Sequence, residues 1–198
     1  IFEWGIYLPN NPCKMIKRLR EPAPRNRILD EDEYQKILEV SANSNCIYLR
    51  PAIIFSMETA MRQGEVLRAR WEQINFKKLT LHIPDTKTGY LSKDETSART
   101  IPLSELALKT ITTLPRDLHG RIFPVSRDVL NKSWMRVKRI CGIKDFHYHD
   151  IRRSSISRMF ELKGLSVPEV QLISGHKNPT VLLKTYTKLD PTKLAKKL

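Results

Sequence analysis

The last quarter of the chain holds the residues best suited to chemistry. His149-Asp150-Ile151-Arg152 is followed by Gly175-His176 and then by Tyr186, in Lys184-Thr185-Tyr186-Thr187. An imidazole and a guanidinium three positions apart share one face of a helix. Upstream, Arg62 stands three residues before Glu65, with Arg68 three beyond, and Lys87 lies in the polar turn Thr86-Lys87-Thr88-Gly89. Cationic side chains, two imidazoles and a phenol are the parts needed to hold a phosphodiester and attack it without a metal. These residue types therefore suggest metal-free cleavage of a DNA strand.

Taken one at a time, each has a plainer explanation. His149 and Arg152 could be a capping histidine beside a surface arginine, with Arg153 facing solvent or a backbone phosphate. Arg62, Glu65 and Arg68 could form an exposed ion-paired turn, worth about a few tenths of a kcal/mol. Lys87 could be a solvated turn residue, and Tyr186 a core tyrosine with its hydroxyl in water. His147 and Tyr148 read as packing residues of a loop, and His82 and His119 have no evident partner.

The whole-chain balance favours the sharper reading. Thirty-five Lys and Arg against 21 Asp and Glu give a formal charge of +14 over 198 residues, enough chain for one buried domain. Such an excess suggests a polyanionic partner, since neutralising phosphates releases counterions. Cys13, Cys46 and Cys141 are widely spaced and odd in number, so reduced thiols are expected rather than a disulfide framework or zinc site. The longest apolar run, around Pro51 to Phe55, falls well short of the roughly 18 residues of a membrane helix. There is no signal-peptide pattern, and a chain that opens on Ile1 reads as part of something longer.

The elements that must position these residues can be marked by their caps. Residues 1–28, with Pro22-Ala23-Pro24 among arginines, read as an extended linker to a missing N-terminal domain. Asp30 caps a first helix carrying Tyr34, Ile37 and Leu38, and a second runs from about Tyr48 to Met57. A short helix follows Arg62. Alternating Leu79, Leu81 and Ile83, a long polar connection and Arg99-Thr100-Ile101-Pro102-Leu103 predict a hairpin. Ser104 opens another helix, and Ser126 a longer one with Val129, Leu130, Trp134, Val137 and Ile140 inward, stopped by Gly142. Helices are expected from near His149 to Gly164, from Ser166 and from Asn178-Pro179. The basic stretch 190–198 reads as a short amphipathic tail helix. The class is mainly α with a small antiparallel β-sheet.

In this order the pieces resemble the catalytic domain of the tyrosine recombinase, or phage integrase, family. The resemblance rests on Ala60-Met61-Arg62-Gln63-Gly64-Glu65, the Lys87 hairpin, His149-Asp150-Ile151-Arg152, Ser174-Gly175-His176 and Tyr186-Thr187, which span about residues 58 to 190, essentially the whole of a catalytic domain expected at 29–189. It implies that Tyr186 attacks a scissile DNA phosphate, giving a 3′-phosphotyrosyl enzyme and a 5′-hydroxyl. Arg62 and Arg152 would hold the non-bridging oxygens, Lys87 protonate the departing oxygen, His149 serve the tyrosine's proton and His176 hydrogen-bond the phosphate. Glu65 and Asp150 would keep the arginine and histidine in place. It implies no metal or cofactor. The implied partners are double-stranded DNA and three further protomers in a synapse, exchanging their 190–198 tails, in the cytoplasm of a bacterium or on phage DNA. The ten positions from His176 to Tyr186 are one more than the family's usual spacing, expected to be taken up near Asn178-Pro179-Thr180. Two alternatives stay open: a type IB topoisomerase-like nicking enzyme, and a DNA-binding module of the same fold without catalysis.

Overall fold

The computed structural model describes residues 16–17, 27–84 and 98–186. Lys87 and its turn, nearly all of the 1–28 linker and the 190–198 tail lie outside the described residues.

Helix α1 (Glu31–Ala42) begins where Asp30 accepts the Glu33 amide at 2.7 Å and the Glu33 carboxylate accepts the Asp30 amide at 3.3 Å. This reciprocal cap satisfies amides that have no helical acceptor. Helix α2 (Leu49–Thr59) is the centre of the domain, with Leu49, Ala52, Ile53, Phe55 and Met57 all buried. Its Pro51 falls in the first turn, where a missing amide costs no helical hydrogen bond. Helix α3 (Gln63–Arg68) and a single 3₁₀ turn (Trp71–Gln73) lead into the sheet.

Strands β1 (Ile74–Asn75), β2 (Thr80–Ile83) and β3 (Arg99–Pro102) are antiparallel in that order, with Leu81 opposite both Ile74 and Ile101. Those three side chains share the buried face. Two residues of β1 are too few to show alternation, and the sequence pattern did not reveal that strand. Leu79, expected to alternate into the strand, instead sits exposed in the preceding turn at φ +52°.

Four further caps match the sequence pattern. Ser104 caps α4 (Glu105–Thr112), Ser126 caps α5 (Arg127–Cys141), Ser166 opens α7 (Val167–Ser174), and Pro179 begins α8 (Pro179–Tyr186). Helix α6 (Tyr148–Glu161) starts one turn-position earlier than His149. Tyr148 is therefore not a loop residue. It is buried in the first turn, edge-on to Trp134 at 5.8 Å, with its hydroxyl 3.0 Å from Ser56 Oγ.

The inward face of α5 differs from expectation. Leu130, Trp134, Val137 and Cys141 are buried, whereas Val129 and Ile140 are exposed. Steps of four, three and four keep one stripe on the core, and the two exposed residues are each about 100° off it. Trp134 anchors that stripe against Phe146 and Tyr148.

The large core joins α1, α2, the sheet, α4, α5 and the start of α6. A smaller apolar cluster of Ala60, Ile156, Met159, Val170, Ile173 and Leu182 fastens α7 and α8 onto α6 and the end of α2. Cys46 and Cys141 are buried free thiols. Among the described residues no helix is long and apolar enough to cross a membrane. The α5 assignment is checked by denaturant unfolding: Leu130→Ala should cost about 2–5 kcal/mol and Ile140→Ala no more than about 0.5. Equal losses would place both residues on the core face.

Candidate active site

Three helix ends converge at one edge of the small apolar cluster: the C-terminus of α2, the N-terminus of α3 and the C-terminus of α7. Helix α2 stops at Ala60, whose left-handed backbone (φ +50°) turns the chain outward. Two residues later Arg62 begins α3 with an extended backbone. Its amide donates to Glu65 Oε2 at 2.8 Å and its Nη1 donates to Oε1 at 3.0 Å. Glu65 thus fixes both ends of Arg62, yet the Arg62 side chain stays 47% exposed.

Glu65 is buried, so this is no exposed ion-paired turn. Its main partner is Arg99 on β3 rather than Arg68. Arg99 Nη1 and Nη2 donate to Oε1 and Oε2 at 3.1 and 2.9 Å. Burial favours the neutral acid, but the Arg99 hydrogen bonds, the Arg62 amide and both positive charges outweigh it and hold Glu65 at about 2.

Arg152 is 4% exposed, which excludes a surface role. Its Nη1 donates to the Ala60 carbonyl at 2.6 Å and its Nη2 to the Ser174 carbonyl at 2.7 Å. Both carbonyls close helices, where oxygens lack helical donors and the macrodipole is negative. A guanidinium is well matched to two such ends at once.

Gly175 caps α7 at φ +69°, and His176 follows it. His176 Nδ1 lies 2.7 Å from Ser174 Oγ and 3.4 Å from Arg152 Nη2. A guanidinium only donates and a hydroxyl can, so Nδ1 is the acceptor and the ring proton sits on Nε2. Burial, then the charges of Arg152, Arg62, Arg99 and His149, push His176 down to about 4. His149 is also lowered, first by burial and then by Arg152 and Arg62, with Asp150 opposing. Both imidazoles are thus neutral at pH 7.

The mutual charge effects draw Arg62, His149, Arg152 and His176 into one field. Asp150 acts on the helix start: its Oδ2 accepts the His147 amide at 2.7 Å, making His147 rather than His149 the capping residue. Arg153 is half-buried, not solvated, and its Nη1 has no hydrogen-bond partner among the described residues. Tyr186 is the last residue of α8, which is tied to the small cluster through Leu182. Lys87 lies outside the described residues. Among those residues no cluster of three or more His, Cys, Asp or Glu could hold a metal.

Sequence reasoning missed Arg99 and Ser174. Ser174 stood in the Ser174-Gly175-His176 motif, and its two-residue spacing from His176 was a usable signal. Arg99 is 34 positions from Glu65, and nothing local links them.

The histidines set an acid limit on stability. His176 binds its proton in the unfolded chain near 6.5 but in the folded one only at about 4. Its contribution is full above pH 6.5 and is lost as pH falls toward 4, because the unfolded state takes up the proton first. Stability followed by thermal melting should decline across that window, and His176→Gln should flatten the decline. An unchanged slope in the variant would contradict this.

Comparison with known proteins places the family and the fold. A family model described as the phage integrase family matches residues 27–193. A shufflon-specific DNA recombinase of Escherichia coli is 34% identical over 196 residues, covering 99% of this chain and 48% of that protein. The chain spans about half the length of the curated relatives it matches. Among solved structures, a Tn1549 transposon integrase in complex with circular-intermediate DNA superposes with a TM-score of 0.68 at 16% identity, covering 90% of this chain and 67% of that one. The catalytic domain of bacteriophage HP1 integrase gives 0.64 at 19% identity, covering 86% and 92%. The fold is that of a tyrosine recombinase catalytic domain, and the chain belongs to the phage integrase family.

Proposed function

We propose that residues 29–189 form the catalytic domain of a site-specific DNA recombinase or integrase. The observation that carries this reading is the convergence of Arg62 from the start of α3, Arg152 from within α6 and neutral His176 from just beyond α7 around one edge. In this reading the Tyr186 phenol oxygen attacks the scissile phosphorus, and the 5′-oxygen of the next nucleotide leaves. Neutral His149 takes the phenol proton, and Lys87 supplies a proton to the leaving oxygen.

Arg62 and Arg152 face the non-bridging oxygens, whose negative charge grows in the transition state. His176 adds its Nε2–H as a donor. The 3′-phosphotyrosyl bond keeps the energy needed for re-ligation, when a 5′-hydroxyl attacks and the tyrosine leaves. The electrostatic work falls to the guanidinium groups, with no metal required.

Double-stranded DNA is the proposed partner, supported by the +14 charge and by the DNA-bound integrase of like fold. Four protomers would act together, as in the lambda integrase tetramer solved on a Holliday junction. The 190–198 tail would dock on a neighbour. The protein would work in the cytoplasm, beside bacterial or phage DNA.

A nicked suicide duplex built from DNA flanking the gene tests the reading. Wild-type protein should form a covalent adduct, and Tyr186→Phe should bind the duplex but form none. An adduct from the phenylalanine variant would overturn the assignment. Arg62→Ala should slow cleavage by about 10²–10³-fold with little loss of stability, because its side chain is half exposed. Arg152→Ala should lose both, since each orphaned buried carbonyl costs about 1–3 kcal/mol.

A further inference from the structure

Arg99 holds together the parts that carry the clamp. From β3 its two Nη groups fork onto both Glu65 oxygens at 3.1 and 2.9 Å, and its Nε donates to the Ile173 carbonyl at 3.1 Å. One side chain therefore spans the first turn of α3 and the last turn of α7. It is nearly buried, with 8% of its side chain exposed.

The neighbouring carbonyl, Ser174, is held by Arg152, so two guanidinium groups tie off consecutive oxygens at the end of α7. The chain makes room for this. A Cβ added at Gly175 would come within 2.9 Å of Arg99 Cδ, Cζ and Nε. The turn before His176 thus needs glycine both for its positive φ and for the passage of Arg99.

The division of labour on Glu65 has a chemical consequence. Arg99 uses both carboxylate oxygens, and Arg62 spends its amide and one Nη1 on the same group. A carboxylate without Arg99 would be open to a full fork from Arg62, drawing that guanidinium off the substrate side. The geometry points to Arg99 as a positioning residue for strand cleavage: by saturating Glu65 and anchoring Ile173, it sets where Arg62 and His176 stand relative to each other. This rests on the recombinase reading, and it assigns Arg99 no contact with DNA.

The test uses the whole chain and the nicked duplex from DNA flanking the gene. Wild-type and Tyr186→Phe proteins come first; without a tyrosine-dependent adduct the recombinase reading itself fails. Given that adduct, Arg99→Lys keeps the charge but cannot fork onto Glu65 while reaching Ile173. Its adduct formation should slow by about 10²-fold, the scale of a small misplacement of reacting groups. Duplex binding by gel shift and the thermal transition should stay close to wild type.

A lysine variant that cleaves at the wild-type rate overturns the proposal. So does one whose lost cleavage is matched by an equal loss of folded protein, because the role is then only structural. Glu65→Gln supplies the second measurement. If Arg99 acts through Glu65, adding Arg99→Lys to Glu65→Gln slows cleavage little further. Losses that multiply across the two positions also overturn it.

Discussion

The arrangement depends on housing the positive charge of Arg152 inside the protein, where two helix C-termini meet it. Arg152 is almost wholly removed from water, and an unpaired buried charge is costly. The chain aims two helix C-termini at it, through the carbonyls of Ala60 and Ser174. Carbonyl dipoles recover part of the lost hydration. Much of the local topology serves this contact, since α2 and α7 must end at the same point while α6 passes between them.

The same field decides what the histidines can do. Burial first, and then the concentration of guanidinium groups, disfavours a further cation, so His149 and His176 are held neutral. They differ in consequence. His176 has its Nδ1 engaged by Ser174 and is left as an Nε2–H donor, whereas His149, though its ring is partly desolvated, keeps much of its residue surface in solvent. Clamp and proton chemistry are therefore not independent devices. The arginines that would bind phosphate also add to burial in keeping the neighbouring imidazoles unprotonated.

Much of this was legible in the sequence, for a local reason. Caps act over one turn, so Asp30, Ser104, Ser126 and Gly142 each announce a helix end from a few residues. The order of Arg62, His149-x-x-Arg152, Gly175-His176 and Tyr186 likewise survives in one dimension. Tertiary choices do not. Which stripe of α5 faces inward was decided by Trp134 meeting Phe146 and Tyr148, not by the hydrophobicity of Val129 or Ile140. Spacing pointed to Arg68 as Glu65's second partner. The true one arrives from a strand 34 positions away. Leu79 alternates correctly on paper but occupies a turn whose backbone a strand cannot share.

Ala60 shows how far the fold goes to keep the clamp in register. A left-handed backbone costs a non-glycine residue about 1–2 kcal/mol, and glycine would remove that strain. Yet the Ala60 methyl is fully buried in the small cluster with Ile156, Val170, Ile173 and Leu182. Glycine would leave a void there and free the turn that aims the carbonyl at Arg152. One residue thus couples the packing of α7 and α8 to the position of a guanidinium. Because Ile173 lies in that cluster and also offers its carbonyl to Arg99, packing and charge are fixed by the same few atoms. A shift of α7 large enough to repack the cluster would move the turn carrying His176, so the apolar contacts hold the polar site to its geometry.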